Sequence, residues 1–369
     1  MTERIGILGG YGSVGTGVAE RLVARGAGEV LIAGRDPIAG RRLIAEKLRG
    51  AGDFLRVDLA DDDALAQFCA RCAIVVNCAG PSRRILDRVA RAARRAGARY
   101  VDIGGDEPVH NRLSDTDDWC AVLSAGMIPG LTGLLPRYLA RDFDTVDALT
   151  VYHGIFDTFG AATAYDYVVG VLDGDDMPLA AWRDGIRDGV VVRRNDIRLP
   201  NFPEPVTALP YLSREACRTA RWLGLGSGTW FSILQGERLP LVLQGIPGTP
   251  ASAVAEMAEK VRRAAELDVL GRTPHAILLF ELVGRRAGQA ITRSLVLRAD
   301  RAAALTAAAA VSVIGAVADG RIESGVHFAA DVVPPGRSVA ELGADPAVVQ
   351  LSEHEIGLDE LVELDEGAI

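Results

Sequence analysis

The chain has 369 residues, 49% of them apolar and 24% charged, ordinary values for a folded globular protein long enough for two domains. Its 40 basic and 49 acidic side chains leave a formal charge of −9, which repels nucleic-acid phosphates and anionic membrane surfaces and excludes those partners. No stretch approaches ~18 uninterrupted apolar residues. Met1 to Arg4 leads straight into a strand-like run without a signal-peptide core, and the five scattered cysteines form no disulfide framework, so a cytoplasmic protein with reduced thiols is expected.

In chain order, short β-branched runs at 5–8, 30–33, 54–57, 74–77, 100–103 and 121–124 alternate with helical segments at about 14–25, 38–50, 62–70, 82–96 and 109–118. That alternation predicts a doubly wound parallel sheet covered by helices, a Rossmann-type α/β domain over 1–140. Beyond Pro136 the pattern changes to α+β: a strand at 146–152, a helix at 161–172, a helix at 251–270 and a hairpin of 276–283 with 290–298. The proline-rich run Leu199-Pro200-Asn201-Phe202-Pro203-Glu204-Pro205 is neither helix nor central strand and reads as a loop or lid. A helix over 301–318, apolar all round, is expected to be covered on several faces. These elements predict a second domain over 141–324 with a mixed or antiparallel sheet, serving substrate binding and homodimerisation. The segment 325–369, with two short acidic helices, is expected to pack back on the first domain.

The chemistry is concentrated in the turn Gly10-Tyr11-Gly12-Ser13-Val14-Gly15, a G-x-G-x-x-G placed between the first strand and the first helix. Glycines there allow a tight turn, the close approach of a pyrophosphate, and close packing of helix on strand, while the helix N-terminus presents amides to the phosphates. At the end of the second strand stands Arg35, where an acid would select the 2′-hydroxyl of NAD. A guanidinium suits a 2′-phosphate, so NADP is favoured over NAD. Asp36 next to it reads as a helix cap or a ribose ligand, and Asp58 as an adenine contact or a cap. The small residues Cys78, Ala79 and Gly80, after the fourth strand, fit the nicotinamide side of the cofactor. Cys78 is not read as a nucleophile, because no His lies near it in sequence. The pair Cys69 and Cys72 has no second pair, so no metal site is expected.

Lys47 and Lys260 are the only lysines, and the residues four before them are Leu43 and Glu256. The Tyr-x-x-x-Lys pair of short-chain dehydrogenases is therefore missing. Instead the first domain resembles the saccharopine dehydrogenase-like family of NAD(P)-dependent oxidoreductases. The likeness is carried by Ile7-Leu8-Gly9-Gly10-Tyr11-Gly12-Ser13-Val14-Gly15, Val76-Asn77-Cys78-Ala79-Gly80-Pro81, Tyr100-Val101-Asp102-Ile103-Gly104-Gly105-Asp106 and the run from Ala125 to Leu135. The resemblance implies an NAD(P)-binding first domain, a second domain that closes over a small-molecule substrate and forms a dimer, and hydride exchange at a carbon–nitrogen bond. No set of arginines marks a pair of substrate carboxylates among the 38 present, so the family's substrate is not carried over.

Asp102, at the carboxyl end of the fifth strand, is the candidate carboxylate beside an iminium carbon, with a cap of the following glycine turn as its other reading. His153, Tyr165 and Asp166 are the candidates for proton transfer in the second domain. The leading expectation is an NADP-dependent oxidoreductase of the imine reductase or amine dehydrogenase type, acting on an amino-acid-like or specialised-metabolite substrate. Two alternatives remain: an enoyl reductase acting on chains bound to a carrier protein, for which Arg91, Arg94 and Arg95 offer a basic patch, and an NADP-sensing protein without turnover.

Overall fold

The structure, a computed structural model, describes residues 3–113, 118–174 and 176–367. The chain divides into two compact units, Met1–Leu131 with Ala303–Glu341, and Thr132–Ala302 with Leu342–Ile369.

In the first unit the chain runs β1 (Arg4–Leu8), α1 (Ser13–Ala24), β2 (Glu29–Gly34), α2 (Pro37–Glu46), β3 (Asp53–Arg56) and α3 (Asp62–Cys69). It continues through β4 (Ile74–Asn77), α4 (Ser82–Ile85), α5 (Arg88–Arg95), β5 (Arg99–Asp102), α6 (Glu107–Leu113) and β6 (Cys120–Leu123). Every strand lies within one residue of its expected ends, because the apolar runs of β1, β2, β4, β5 and β6 are buried on both faces of a parallel sheet, and only the edge strand β3 is part-exposed. The helix expected over 82–96 is two helices, broken at Leu86, whose φ of 48° no helix tolerates. Residues 114–117, part of the helix expected over 109–118, lie outside the described residues.

The second unit comprises α7 (Leu131–Leu139), β7 (Thr145–Phe156), α8 (Ala161–Asp173), β8 (Met177–Pro178), β9 (Ala181–Arg183), β10 (Ile186–Arg187), β11 (Arg194–Ile197) and β12 (Val206–Leu212). There follow α9 (Arg214–Leu223), β13 (Ser227–Leu234), α10 (Arg238–Leu243), α11 (Val254–Val269), β14 (His275–Arg286) and β15 (Gln289–Ala299). Its mixed sheet has ten strands, with β10-β9-β13-β7-β14-β15-β17 as the main path and β12, β11 and β8 branching from β13. Here β17 (Val348–His354) comes from the tail, after α12 (Ala302–Ala318), β16 (Gly325–Phe328), α13 (Ala329–Val332) and α14 (Pro335–Gly343); α15 (Leu358–Gly367) ends the chain. The β14–β15 hairpin forms the expected antiparallel pair, and β7 pairs parallel with β13 and antiparallel with β14. One face of this sheet buries Tyr152, Phe231, Ile277, Leu279 and Val296 under Leu358 and Leu361 of α15.

Three expectations are corrected. The apolar helix α12 belongs to the first unit, not to the substrate domain: Gly17 of α1 leaves so little room that a Cβ there would stand 2.8 Å from the Ala307 Cβ, and Arg99 Nη1 donates to Val317 O at 2.5 Å. β16 then pairs parallel with β6 and completes a seven-stranded sheet of order β16-β6-β5-β4-β1-β2-β3. The tail does not return to the first domain as a whole, since β17 pairs antiparallel with β15 in the second sheet. Finally, the proline-rich run is no lid: Leu199 is buried in the core with Phe202 packed beside it, and a Cβ on Gly154 would stand 2.6 Å from the Phe202 ring.

Candidate active site

In the first unit the strand order reverses at β1, with β2 on one side and β4 on the other. Such a switch point opens a crevice beyond the carboxyl ends of the strands. Gly9, just past β1, has φ of +74°, and a Cβ on it would stand 2.8 Å from the Ala79 nitrogen and 2.9 Å from the Cys78 carbonyl carbon. Its amide and that of Gly10 both donate to Ala33 O, at 2.8 and 3.3 Å, which ties the turn to the end of β2. A Cβ on Gly15 would stand 2.4 Å from Gly9 O, so α1 starts hard against the turn. Gly12 caps α1 without a capping side chain and is exposed with Ser13, so among the described residues no side chain caps the amides of the first helical turn. An exposed helix start with its capping side chain deleted and glycines at every close approach fits a diphosphate.

Beside it, the ring of Tyr11 lies over Gly34, where a Cβ would stand 2.4 Å from a ring carbon, and the Tyr11 hydroxyl accepts from Asp36 N at 3.0 Å. The Asp36 carboxylate accepts from Ile38 N and Ala39 N, at 2.8 and 3.2 Å, and is the cap of α2. Asp58 likewise accepts from Ala60 N at 3.0 Å. Asp36 thus takes the capping one of its two readings, whereas Asp58 closes only its own turn and the cap of α3 is Asp61, which accepts from Asp63 N and Ala64 N at 3.1 and 3.0 Å. Arg35, next to Asp36, is exposed.

On the other side of β1, Asn77 ends β4 and Asp102 ends β5, paired in register and each about 2% exposed. One Asp102 oxygen accepts from the Gly104 and Gly105 amides at 3.0 and 2.8 Å; the other accepts from Tyr100 Oη at 2.5 Å and Asn77 Nδ2 at 3.2 Å. Asn77 Oδ1 in turn accepts from Ala79 N at 3.2 Å. A single carboxylate thus anchors both the Gly104–Gly105 turn and, through Asn77, the Cys78–Gly80 turn. Burial raises the Asp102 carboxyl above the usual range, opposed by its four donors, and drives the Tyr100 hydroxyl well up. Burial first and the Asp102 charge second push the Cys78 thiol far above its ordinary value, so it stays protonated and non-nucleophilic. Cys69 and Cys72 are buried free thiols, raised by burial to about 11 and about 12, and no metal-binding group of His, Cys, Asp or Glu occurs among the described residues.

His153 and Tyr165 lie in the second unit. His153, on β7, stands in register with Leu278 and Ser232, its ring edge-on to Tyr211 at 5.0 Å and 85°. Dense surroundings push its imidazole from 6.5 down to about 4. Tyr165, on α8, packs against the cluster of Ala164, Val168 and Val261, and Asp166 follows on the same helix. Sequence reading passed over Tyr211, Tyr100 and Asn77. The first sits in the alternating run of β12, a signal for a half-buried strand but not for a polar contact.

Two outcomes follow from this geometry. Asp102→Ala strands four buried donors at about 1–3 kcal/mol each, so we expect it to lower stability by at least about 3 kcal/mol in denaturant titration, and Tyr100→Phe by about 1–2 kcal/mol; near-neutral values for both contradict the anchoring role. His153 binds a proton in the unfolded chain below about 6.5 but in the folded one only below about 4. Its contribution to stability is therefore full above pH 6.5 and is lost as the pH falls toward 4. In His153→Gln the decline in melting temperature over that window should be shallower than in the parent, and parallel declines contradict this.

Residues 5–117 match the family described as saccharopine dehydrogenase NADP binding domain. Among solved structures, saccharopine dehydrogenase (L-Glu forming) from Saccharomyces cerevisiae superposes with a TM-score of 0.68 at 14% identity, covering 96% of this chain and 100% of that one. A short-chain dehydrogenase/reductase from Veillonella parvula, in complex with NADP, matches at 17% identity over 28% of this chain and 47% of its own, with a TM-score of 0.24. A search of curated proteins finds no match. NADP is thus the cofactor of the first domain, and the whole chain has the α/β fold of a saccharopine dehydrogenase. Residues 5–117 thus form a domain of the saccharopine dehydrogenase NADP-binding type, and the chain as a whole is similar in fold to a saccharopine dehydrogenase.

Proposed function

We propose that this oxidoreductase exchanges hydride with a carbon–nitrogen double bond, reducing an imine formed from an amine and a carbonyl compound, or oxidising the corresponding secondary amine. The observation that carries the reading is the extent of the structural likeness: it runs through both units of the chain and the full length of a saccharopine dehydrogenase, not through the dinucleotide domain alone. An amino-acid-like or specialised-metabolite amine is the substrate class in keeping with it.

When bound, the nicotinamide supplies or accepts the hydride. The amides of Ser13, Val14 and Gly15 at the start of α1 would hold the diphosphate, with Gly10 and Gly12 giving it room and Tyr11 and Arg35 toward the adenosine. Cys78, Ala79 and Gly80 would border the nicotinamide with small side chains, and the protonated Cys78 thiol would add no charge there. We assign Asp102 a positioning role in place of the catalytic one expected from the sequence, since all four of its donors are internal and its burial leaves no oxygen for an iminium. Proton transfer falls to the second unit. The His153 imidazole is neutral at physiological pH and can accept a proton, and the Tyr165 hydroxyl is the candidate donor.

The test is NADPH consumption by the purified protein with amines and 2-oxo acids or aldehydes, singly and in pairs. Loss of NADPH only when amine and carbonyl are present together, with His153→Phe lowering kcat at least about tenfold, is the expected result. Consumption with a carbonyl compound alone, or with an activated C=C thioester and no amine, overturns the reading.

A further inference from the structure

The end of β3 carries an arginine with no role in the account so far. Arg56 is the last residue of β3 and pairs in register with Gly34, the last residue of β2, while Val57 N donates to Gly34 O at 2.9 Å. Paired residues of neighbouring strands point to the same face of a sheet. The Cβ that Gly34 lacks would run into the Tyr11 ring, so the Arg56 side chain leaves the sheet on the face that Tyr11 covers, one strand over. Arg35 follows Gly34 directly. Two exposed guanidiniums therefore stand at the neighbouring carboxyl ends of β2 and β3, Arg56 on the face that Tyr11 covers.

Both arginines are exposed, and among the described residues neither has an ion pair or a hydrogen-bond partner. Arg4, Arg25, Arg88, Arg91, Arg94 and Arg99 of the same unit, by contrast, meet carboxylates. The acids nearest in sequence are already engaged: Asp36 caps α2 and Asp58 holds Ala60 N. With Asp36 occupying the amides of α2, that helix start offers nothing to an anion, and the charge of a phosphate at the end of β2 has to be met by side chains.

We propose that Arg56 is a second cation for the adenosine 2′-phosphate of NADP, acting with Arg35 across the end of β2, and that the pair sets the preference for NADP over NAD. The inference concerns the cofactor alone and holds whichever bond the enzyme reduces.

The experiment is fluorescence titration of the full-length protein with NADPH and with NADH, for the parent, Arg56→Gln and Arg35→Gln. Loss of one charge-assisted contact to a phosphate should weaken NADPH about tenfold in Arg56→Gln and leave NADH within about twofold. Adenosine 2′,5′-bisphosphate should lose affinity in parallel and 5′-AMP should not. Unchanged NADPH binding in Arg56→Gln, or equal losses for NADPH and NADH, overturns the proposal.

Discussion

The first glycine turn lies against the end of β4 with no room for one carbon atom between them. Gly9 adopts a positive φ, and its missing Cβ is the space taken by the backbone of Cys78 and Ala79. Everything at this edge of the sheet depends on that contact. It places the start of α1 and the β4 turn side by side, the two turns proposed to take the diphosphate and the nicotinamide. The β4 turn is itself held from behind by Asn77, and Asn77 by Asp102, which Tyr100 and two glycine amides share. A buried carboxylate with four donors is a costly arrangement unless all four are kept, which makes the network rigid and its geometry single-valued.

Much of the first unit was legible in the sequence because its rules are local. Short apolar runs separated by helices mark parallel strands within one residue, and the G-x-G-x-x-G marks the glycine turn between the first strand and the first helix. Gly9 was harder to see. It stands outside the motif, and only the packed strand beside it shows why it is a glycine. The competing roles of Asp36, Asp58 and Asp102 were undecidable from spacing, since a cap and a ligand occupy the same place in sequence; hydrogen-bond partners separate them.

What stayed hidden was long-range pairing. Nothing in residues 348–354 says that they join β15 rather than the first domain, and nothing in 325–328 says that they pair with β6. An all-round apolar helix announces burial, not which sheet buries it, so α12 was placed with its sequence neighbours instead of with α1. The proline-rich run had the composition of a loop, which it is, but Leu199 and Phe202 pin it to the core. Function follows the same division. The cofactor is written in one contiguous stretch, whereas the proton-transfer candidates sit in a unit whose strands are assembled from distant segments, and there the His153–Tyr211 contact emerges only from the fold.

The central claim is that the edge of the first sheet is built for NADP. Calorimetric titration of the parent protein with NADPH and NADH tests it most directly. The account predicts saturable one-to-one binding of NADPH, with NADH weaker by about tenfold or more for want of the 2′-phosphate. Absence of NADPH binding, or NADH bound as tightly, would contradict it.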